Sequence, residues 1–467
     1  MKKYTLTTYR RKLLADTLTP VSAYLKIRDR FPNSILLESS DYHANDNSFS
    51  YICCNPIASI SIANEKISRT YPDGSEVQTN IDDSKAVVSA LQAFSQQFDV
   101  TKDPELKFIH NGLFGYLSYD AVRYFESVSL KKQPKQLELP DAYYAVYQNI
   151  IAINHFNNEA YVFAHCYEQE SNLEAILQLL QSHPVTEFSF QRKGDTNTAT
   201  TDETYKKLVA TCQAHCARGD VFQMVPSKRF SQDFSGDEFN VYRALRSVNP
   251  SPYLFFFDYG NFKIFGSSPE AQLVVSEGVA EIHPIAGTFK RTGNDTKDAK
   301  LAQDLAADPK ENSEHVMLVD LARNDLSRHG TNVSVDTYKE VQYFSHVIHL
   351  VSKVTATKKP ETSTLQIVAD TFPAGTLSGA PKPKALQLLS EYEPHAREFY
   401  GGAIGFMDFD GNFNHAIIIR SFVSKNHTLY YQAGAGVVSD SQPDKELEEV
   451  YNKLGALHKA LEIAETF

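Results

Sequence analysis

The stretch Asp308 to Leu326 constrains this chain most. Asp308 suits a helix cap, Pro309 suits the first helical position and Gly330 lies just past the end, so a helix is predicted here. From Val316 to Ala322 the apolar residues run nearly all round the axis, which predicts a buried helix rather than an amphipathic one. Glu311 and Glu314 lie one turn apart on one line of it. Buried charge without a partner is costly, so these carboxylates call for a cation or a bound molecule. A second predicted helix runs from Asp444 to about Ala464, with a core stripe of Leu447, Val450, Leu454, Leu457 and Leu461. At about 100° per residue, Glu446, Glu449 and Lys453 share one edge of that stripe while Glu448 points away. Two glutamate pairs at i, i+3 spacing on two helices supply the oxygen ligands that a hard cation such as Mg2+ takes. Ordinary surface glutamates are the alternative reading of the same spacing.

The remaining sequence sets the frame for those helices. A chain of 467 residues suffices for two or three average domains or one large layered architecture. Its net charge of −11, without a long basic run, argues against nucleic acid or an anionic membrane as partner. No apolar stretch approaches the length of a membrane span, and Met1 to Leu6 does not open a signal peptide. The five cysteines, Cys53, Cys54, Cys166, Cys212 and Cys216, lack zinc-ligand spacing, so a cytoplasmic, thiol-reduced protein is expected. There is no tryptophan, although the chain holds 25 Tyr and 29 Phe.

Strand patterns dominate the first half: Ser34 to Ser40, Ser48 to Ile62 with a turn at Asn55-Pro56, Lys66 to Val77, Gly112 to Tyr119, and a hairpin from Tyr143 to Cys166. Helices are predicted at Asp82 to Phe98 and Leu173 to Ser182. The small, polar segment from about Glu187 to Asp202 reads as a linker, dividing an N-terminal part (1–190) from a C-terminal part (202–467). Beyond it come a helix (Asp202 to Arg218), paired strands to about residue 288, the carboxylate helix, a helix from Lys382 to Tyr392, strands over 402–438 and the closing helix. Strands and helices do not alternate strictly. The predicted fold class is therefore α+β, with large antiparallel β-sheets flanked by helices.

Several turns carry possible chemistry. Gln432-Ala433-Gly434-Ala435-Gly436 ends a strand with two glycines, where bare backbone amides can close on a carboxylate or phosphate; a plain β-turn is the alternative. Pro284 to Thr288 and Pro373 to Pro381 are small-residue turns that include a threonine, and the second precedes a helix, where anions bind. Arg420 falls in an apparent strand from Ala416 to Val423, and an arginine there bonds either a structural or a ligand carboxylate.

Taken together, Val221 to Ser227, Asn249 to Tyr253, Gly266 to Glu270, Pro284 to Thr288, Glu311 to Leu326, Ser345 to Ser352, Pro373 to Pro381, Tyr400 to Gly405 and Gln432 to Lys453 resemble the chorismate-utilising enzymes. Within that family they are most similar to the large (component I) subunits of the anthranilate synthase type. The N-terminal part matches more loosely, through Leu36 to Ser39 and Gly112 to Tyr119. The resemblance implies Glu314 and Glu449 as Mg2+ ligands, with Glu311 and Glu446 acting through water. It implies that Tyr400, Arg420, Gly434, Ala435, Gly436 and Lys453 bind the carboxylates of chorismate, while Gly287 and Thr288 line its ring. Glu270 would protonate the departing C4 hydroxyl, a role that needs a raised pKa, and His349 and Thr376 would complete that end of the site. For His349, a satisfied core histidine is the alternative.

Two positions bear on the chemistry. Water-adding relatives carry a lysine where this chain has Gln223, and a glutamine cannot deprotonate water. Aminodeoxychorismate synthases carry a nucleophilic lysine where this chain has Ala286. Ammonia attack at C2 and loss of pyruvate to give anthranilate remain. No cysteine lies in a Gly-x-Cys-x-Gly elbow, which implies a separate glutamine amidotransferase subunit. Leu37 to Ser39 and Asn249 to Tyr253 resemble the family's feedback site for L-tryptophan, implying contacts from Ser39, Pro252, Tyr253 and Leu254. Aminodeoxychorismate synthase and a metal-free binding scaffold are the competing expectations.

Overall fold

A computed structural model of the chain describes residues 2–39, 48–84, 86–101, 103, 105–182, 185–343 and 347–467, with the backbone but not the side chain of Thr288. Ser40 and Ser345, each part of a segment singled out above, lie outside the described residues.

Strand Tyr253–Asp258 shows how the layers arise. Its alternate residues Phe255 and Phe257 join one buried cluster, with Phe114, Tyr147, Ile264 and Ile417, while Leu254 and Phe256 join another, with Tyr24, Tyr242 and Leu454. A strand apolar on both faces must be covered twice. The first cluster lies between two large sheets, and the second lies between one sheet and helices that include Phe239–Val248 and Pro443–Ala464. A third cluster covers the other sheet with helices Ala86–Ser95, Pro309–Ser327 and Thr364–Thr371. Helix, sheet, sheet, helix is the resulting order, and the α+β expectation holds.

Nearly all strand pairs are antiparallel; Tyr4–Leu14 runs parallel to Phe98–Val100. Two long strands, Phe49–Ala63 and Ala142–Asn154, pair along their whole length and pass from one sheet into the other. The first pairs with Ile35–Glu38 through Tyr51 to Cys53 and with Lys66–Thr70 through Ser59 to Ala63. Asn55-Pro56, expected as a turn, lies inside this strand: Asn55 takes a left-handed φ of 59° and the register slips between Pro56 and Ala58. A bulge here uses the chemistry that would otherwise make a turn.

The expected linker also differs. Residues Phe190–Thr198 form a strand paired with Ser227–Gly236, its side chains exposed from Gln191 onward. A polar edge strand and a linker share one composition, which is why the sequence misled. Strands from the two sequence parts pair directly, Ile35–Glu38 with Tyr253–Asp258 and Leu113–Leu117 with Ala403–Met407, so the sheets are continuous between them.

The carboxylate helix runs over Pro309–Ser327, capped by Asp308, whose side chain accepts from the amides of Lys310 and Glu311. It is not buried all round. Leu318, Val319, Ala322, Asp325 and Leu326 face inward, whereas Asp320 and Arg323 pair with each other in solvent. The closing helix Pro443–Ala464 buries the predicted stripe of Leu447, Val450, Leu454, Leu457 and Leu461. All five cysteines are unbonded. Among the described residues no helix is long and apolar enough to cross a membrane.

Candidate active site

The first turns of these two helices define one side of the site. Burial and then repulsion from Glu314 raise the pKa of Glu311, which also feels Glu449. Glu446 is buried and likewise raised, by burial first and also by Glu449. The four glutamates therefore share one electrostatic neighbourhood across two helices. Among the described residues no three His, Cys, Asp or Glu side chains converge into a preformed metal centre. An oxygen-only acidic set whose members make one another costly to ionise suits a hard divalent ion completed by ligand and water.

Glycines bring this side against the loops. Gly436 follows the strand Thr428–Gly434, and a Cβ there would stand 2.3 Å from Gln223 Nε2 and 3.8 Å from Glu314 Oε1. Gln223 lies in a two-residue strand paired with Gly379–Ala380 and donates its Nε2 to Glu314 Oε1 at 3.2 Å. Its Oε1 is buried without a partner. Gly287 has a φ of 69°, and a Cβ there would meet Leu305 at 2.6 Å and Glu311 Oε2 at 3.2 Å. Lys453 Nζ bridges Glu449 Oε1, at 2.6 Å, and the Gly434 carbonyl, at 2.8 Å. The glycine turn is only partly open to a ligand: the Ala435 amide donates to Pro226 O and the Val437 amide to Met224 O, while among the described residues the Gly436 amide makes no hydrogen bond.

Arg420 sits opposite. The strand expected through it is broken: strands Phe413–Ile417 and Ser421–Lys425 flank Arg420, whose φ of 51° turns the chain left-handed between them. A non-glycine residue in that region marks a position that its surroundings enforce. Arg420 is half-buried, and among the described residues its guanidinium makes no hydrogen bond or ion pair, although Tyr400, Glu449 and Glu270 lie near enough to favour its charge. Tyr400 is buried and its hydroxyl is pushed up to about 12, chiefly by burial. A partly desolvated cation without a bonded counter-ion carries a cost that an anionic ligand would offset.

Glu270 follows strand Lys263–Ser268 and stands between these features. Burial lifts its carboxyl to about 7, against smaller opposing effects from Thr376, Arg420 and Lys453. Thr376 Oγ1 donates to Glu270 Oε1 at 3.1 Å. His349, in strand Val347–Lys358, shares a 2.6 Å hydrogen bond between Nδ1 and the Gly287 carbonyl, and burial lowers its pKa. The Thr288 side chain lies outside the described residues. The structure thus gathers Gln223, Glu270, Gly287, Glu311, Glu314, His349, Thr376, Tyr400, Arg420, Gly434, Gly436, Glu446, Glu449 and Lys453 about one centre.

The proposed effector residues meet elsewhere. Leu254 pairs with Glu38 in the Ile35–Glu38 and Tyr253–Asp258 ladder, which sets Ser39 at the end of the strand that carries Tyr253. Pro252 immediately precedes that strand. Glu38 is buried and accepts from Tyr242 at 2.5 Å and Arg246 at 3.1 Å. Tyr253 in turn pairs with Ser268, two residues before Glu270.

Sequence reasoning missed two groups. Arg397 is fully buried behind Tyr400, and its setting between His395 and Glu398 reads as an ordinary polar stretch that gave no signal. Gln272 and Asp325 line a recess beside Glu270; the i, i+2 spacing of Glu270 and Gln272 on an extended segment could have revealed the first.

Comparison with known proteins agrees with this geometry. Residues 34–459 match the family described as chorismate binding enzyme. Anthranilate synthase component 1 of Aquifex aeolicus is 35% identical over 474 residues, covering 97% of this chain and 94% of that protein. The protein of the same name from Pseudomonas aeruginosa is 36% identical, with the same coverage. The crystal structure of anthranilate synthase component I from Streptococcus pneumoniae superposes with a TM-score of 0.78 at 31% identity, covering 96% of this chain and 99% of that one. The menaquinone-specific isochorismate synthase MenF of Escherichia coli shares the fold, with a TM-score of 0.74 at 16% identity over 98% of this chain and 95% of that one. With the match running almost end to end, the chain belongs to the chorismate binding enzyme family.

Proposed function

We propose that this chain is the chorismate-aminating large subunit of an anthranilate synthase. It would convert chorismate and ammonia, with Mg2+, into anthranilate and pyruvate, the entry to tryptophan synthesis. The observation that carries this reading is the half-buried Arg420, which has no bonded counter-ion among the described residues and stands beside Tyr400, Glu270 and Glu449. Such a group fits a ligand carboxylate. The open Gly436 amide offers a further donor.

The chemistry follows from protonation states. A carboxyl at about 7 keeps a substantial protonated fraction at neutral pH, so Glu270 can donate to the departing C4 oxygen. Thr376 binds one of its oxygens and orients the other. Gln223 is tied through Nε2 to Glu314, and its unpaired Oε1 can accept an N–H of ammonia but cannot take a proton from water. Ala286 offers no amine for a covalent adduct, which argues against the aminodeoxychorismate route. Glu314 and Glu449 would hold Mg2+ directly, with Glu311 and Glu446 acting through water; the ion supplies positive charge to a substrate carboxylate. His349, fixed by the Gly287 carbonyl, would assist at the hydroxyl end. A glutamine amidotransferase subunit would supply the ammonia, and L-tryptophan bound by Ser39, Pro252, Tyr253 and Leu254 would inhibit.

Purified chain with chorismate, Mg2+ and ammonium tests this reading by product mass and fluorescence. Anthranilate and pyruvate in equal amounts are expected. An aminated product that keeps its enolpyruvyl group would instead indicate the aminodeoxychorismate activity.

A further inference from the structure

A small recess of about 30 Å3, room for about two waters and partly open to solvent, adjoins Glu270 and Thr376 but is lined by none of Arg420, Tyr400, His349 or Gly287. Its polar lining is unusual. Gln272 is 3% exposed; its Nε2 donates to Thr371 Oγ1 at 3.0 Å, yet its Oε1 has no partner. Lys382, also 3% exposed, donates to Asp325 Oδ2 at 2.7 Å and to Thr371 O at 2.9 Å. Among the described residues the other Asp325 oxygen makes no hydrogen bond. The groups left open, Gln272 Oε1, Asp325 Oδ1 and Glu270, are oxygens that take a donor. An acceptor-lined recess of this size suits small hydrogen-bond donors, each needing two to four polar partners.

We propose that this recess holds a hydrogen-bonded file of water that returns a proton to Glu270 after each amination, with Gln272 and Asp325 as its positioning residues. The proposal rests on the reading of Glu270 as the acid of that reaction. When Glu270 donates its proton, the C4–O bond breaks with its electron pair on oxygen, giving water and leaving Glu270 as a carboxylate. The ammonia that has bonded to C2 releases one proton, so the reaction as a whole is proton-neutral. The two events occur at different atoms, however, and Glu270 must be recharged. A water in the recess gives it one proton and takes one from the next water, and so in turn from solvent; nothing is oxidised. The charged groups facing Glu270 are Arg420 and Lys453, and those facing Asp325 are Lys382, Arg328 and Glu126. The Asp325–Lys382 pair fixes the far end of the file.

The deciding variant is Gln272→Met, which keeps side-chain length and removes the open oxygen without touching the Asp325–Lys382 pair. In the full chain, kcat should fall about tenfold, less than the loss of a direct acid. The solvent deuterium isotope effect on kcat should rise, with KM for chorismate and ammonium and the melting temperature unchanged. Crystals of the wild-type chain should show ordered water on Gln272 Oε1, and crystals of the variant should not. A dry wild-type recess, or a variant with unchanged kcat and isotope effect, would overturn the proposal. So would a raised KM for ammonium with kcat intact, which would make the recess an ammonia entrance. If wild-type chain makes no aminated product at all, the functional reading fails, and the crystallographic water decides separately whether the recess is wet.

Discussion

Two arginines near Tyr400, Arg397 fully buried and Arg420 half-buried, have opposite fates. Arg397 is saturated: Nε and Nη2 bind the two oxygens of Glu393 at 2.7 and 2.8 Å, and the carbonyls of Leu377 and Val225 accept at 2.6 and 2.5 Å. Its guanidinium also stacks over Tyr119, 4.5 Å from the ring centroid. Arg420 has none of this. The fold meets the desolvation cost of Arg397 with protein groups and, among the described residues, leaves Arg420 without a bonded partner. Fully bonded buried charge marks architecture, and unbonded buried charge marks a site.

Removing each arginine should separate these roles. Arg420→Ala is expected to lower kcat/KM about a thousandfold, the loss of a charged partner buried with its ligand, while the melting temperature stays level or rises. Arg397→Ala should do the reverse. It strands Glu393, which also accepts from the Ser227 amide and hydroxyl, so stability should fall by on the order of 3–5 kcal/mol. Chemical denaturation of both variants beside steady-state rates checks the pair.

Glu270 sharpens the contrast, because its burial also costs stability. Glu270→Gln should cut kcat by about 10²–10⁴. Its carboxyl at about 7 lies above the ordinary value of 4.5. The folded chain therefore keeps a proton that the unfolded chain has lost, and this group's contribution to stability falls as pH rises from about 4.5 to 7. The variant should accordingly melt higher than wild type at pH 8, with the advantage fading toward pH 5. For the same reason the wild-type rate should lose its acid arm above about pH 7, measured at fixed free ammonia.

Gly436→Ala is the mildest test. Its Cβ would press on Gln223 Nε2, the end of a side chain held by Glu314. A rise in KM for chorismate of about tenfold or less is expected, with little change in kcat or melting.

The helices that carry the acidic residues were legible because caps, prolines and apolar periodicity are local. The stripe from Leu447 to Leu461 and the cap at Asp308 are as read. Less legible were features decided by distant contacts. Helices Phe239–Val248 and Asp295–Ala307 fell inside stretches read without them, and Arg420 looked like a strand residue because its flanks are β-branched or aromatic. Nor can composition tell a polar edge strand such as Phe190–Thr198 from a linker, since only pairing with Ser227–Gly236 distinguishes them. The site residues themselves came from the resemblance of whole motifs. Their states did not: Glu270's raised pKa, Arg420's isolation and the open oxygen of Gln223 arise from packing between segments far apart in sequence.

Titration of chorismate into the Glu270→Gln variant with Mg2+, by calorimetry, tests the open arginine most directly, because nothing is turned over. Binding should weaken at least a hundredfold when Arg420→Ala is added. Unchanged affinity in the double variant would mean that Arg420 does not receive the substrate, and the contrast with Arg397 would lose its functional meaning.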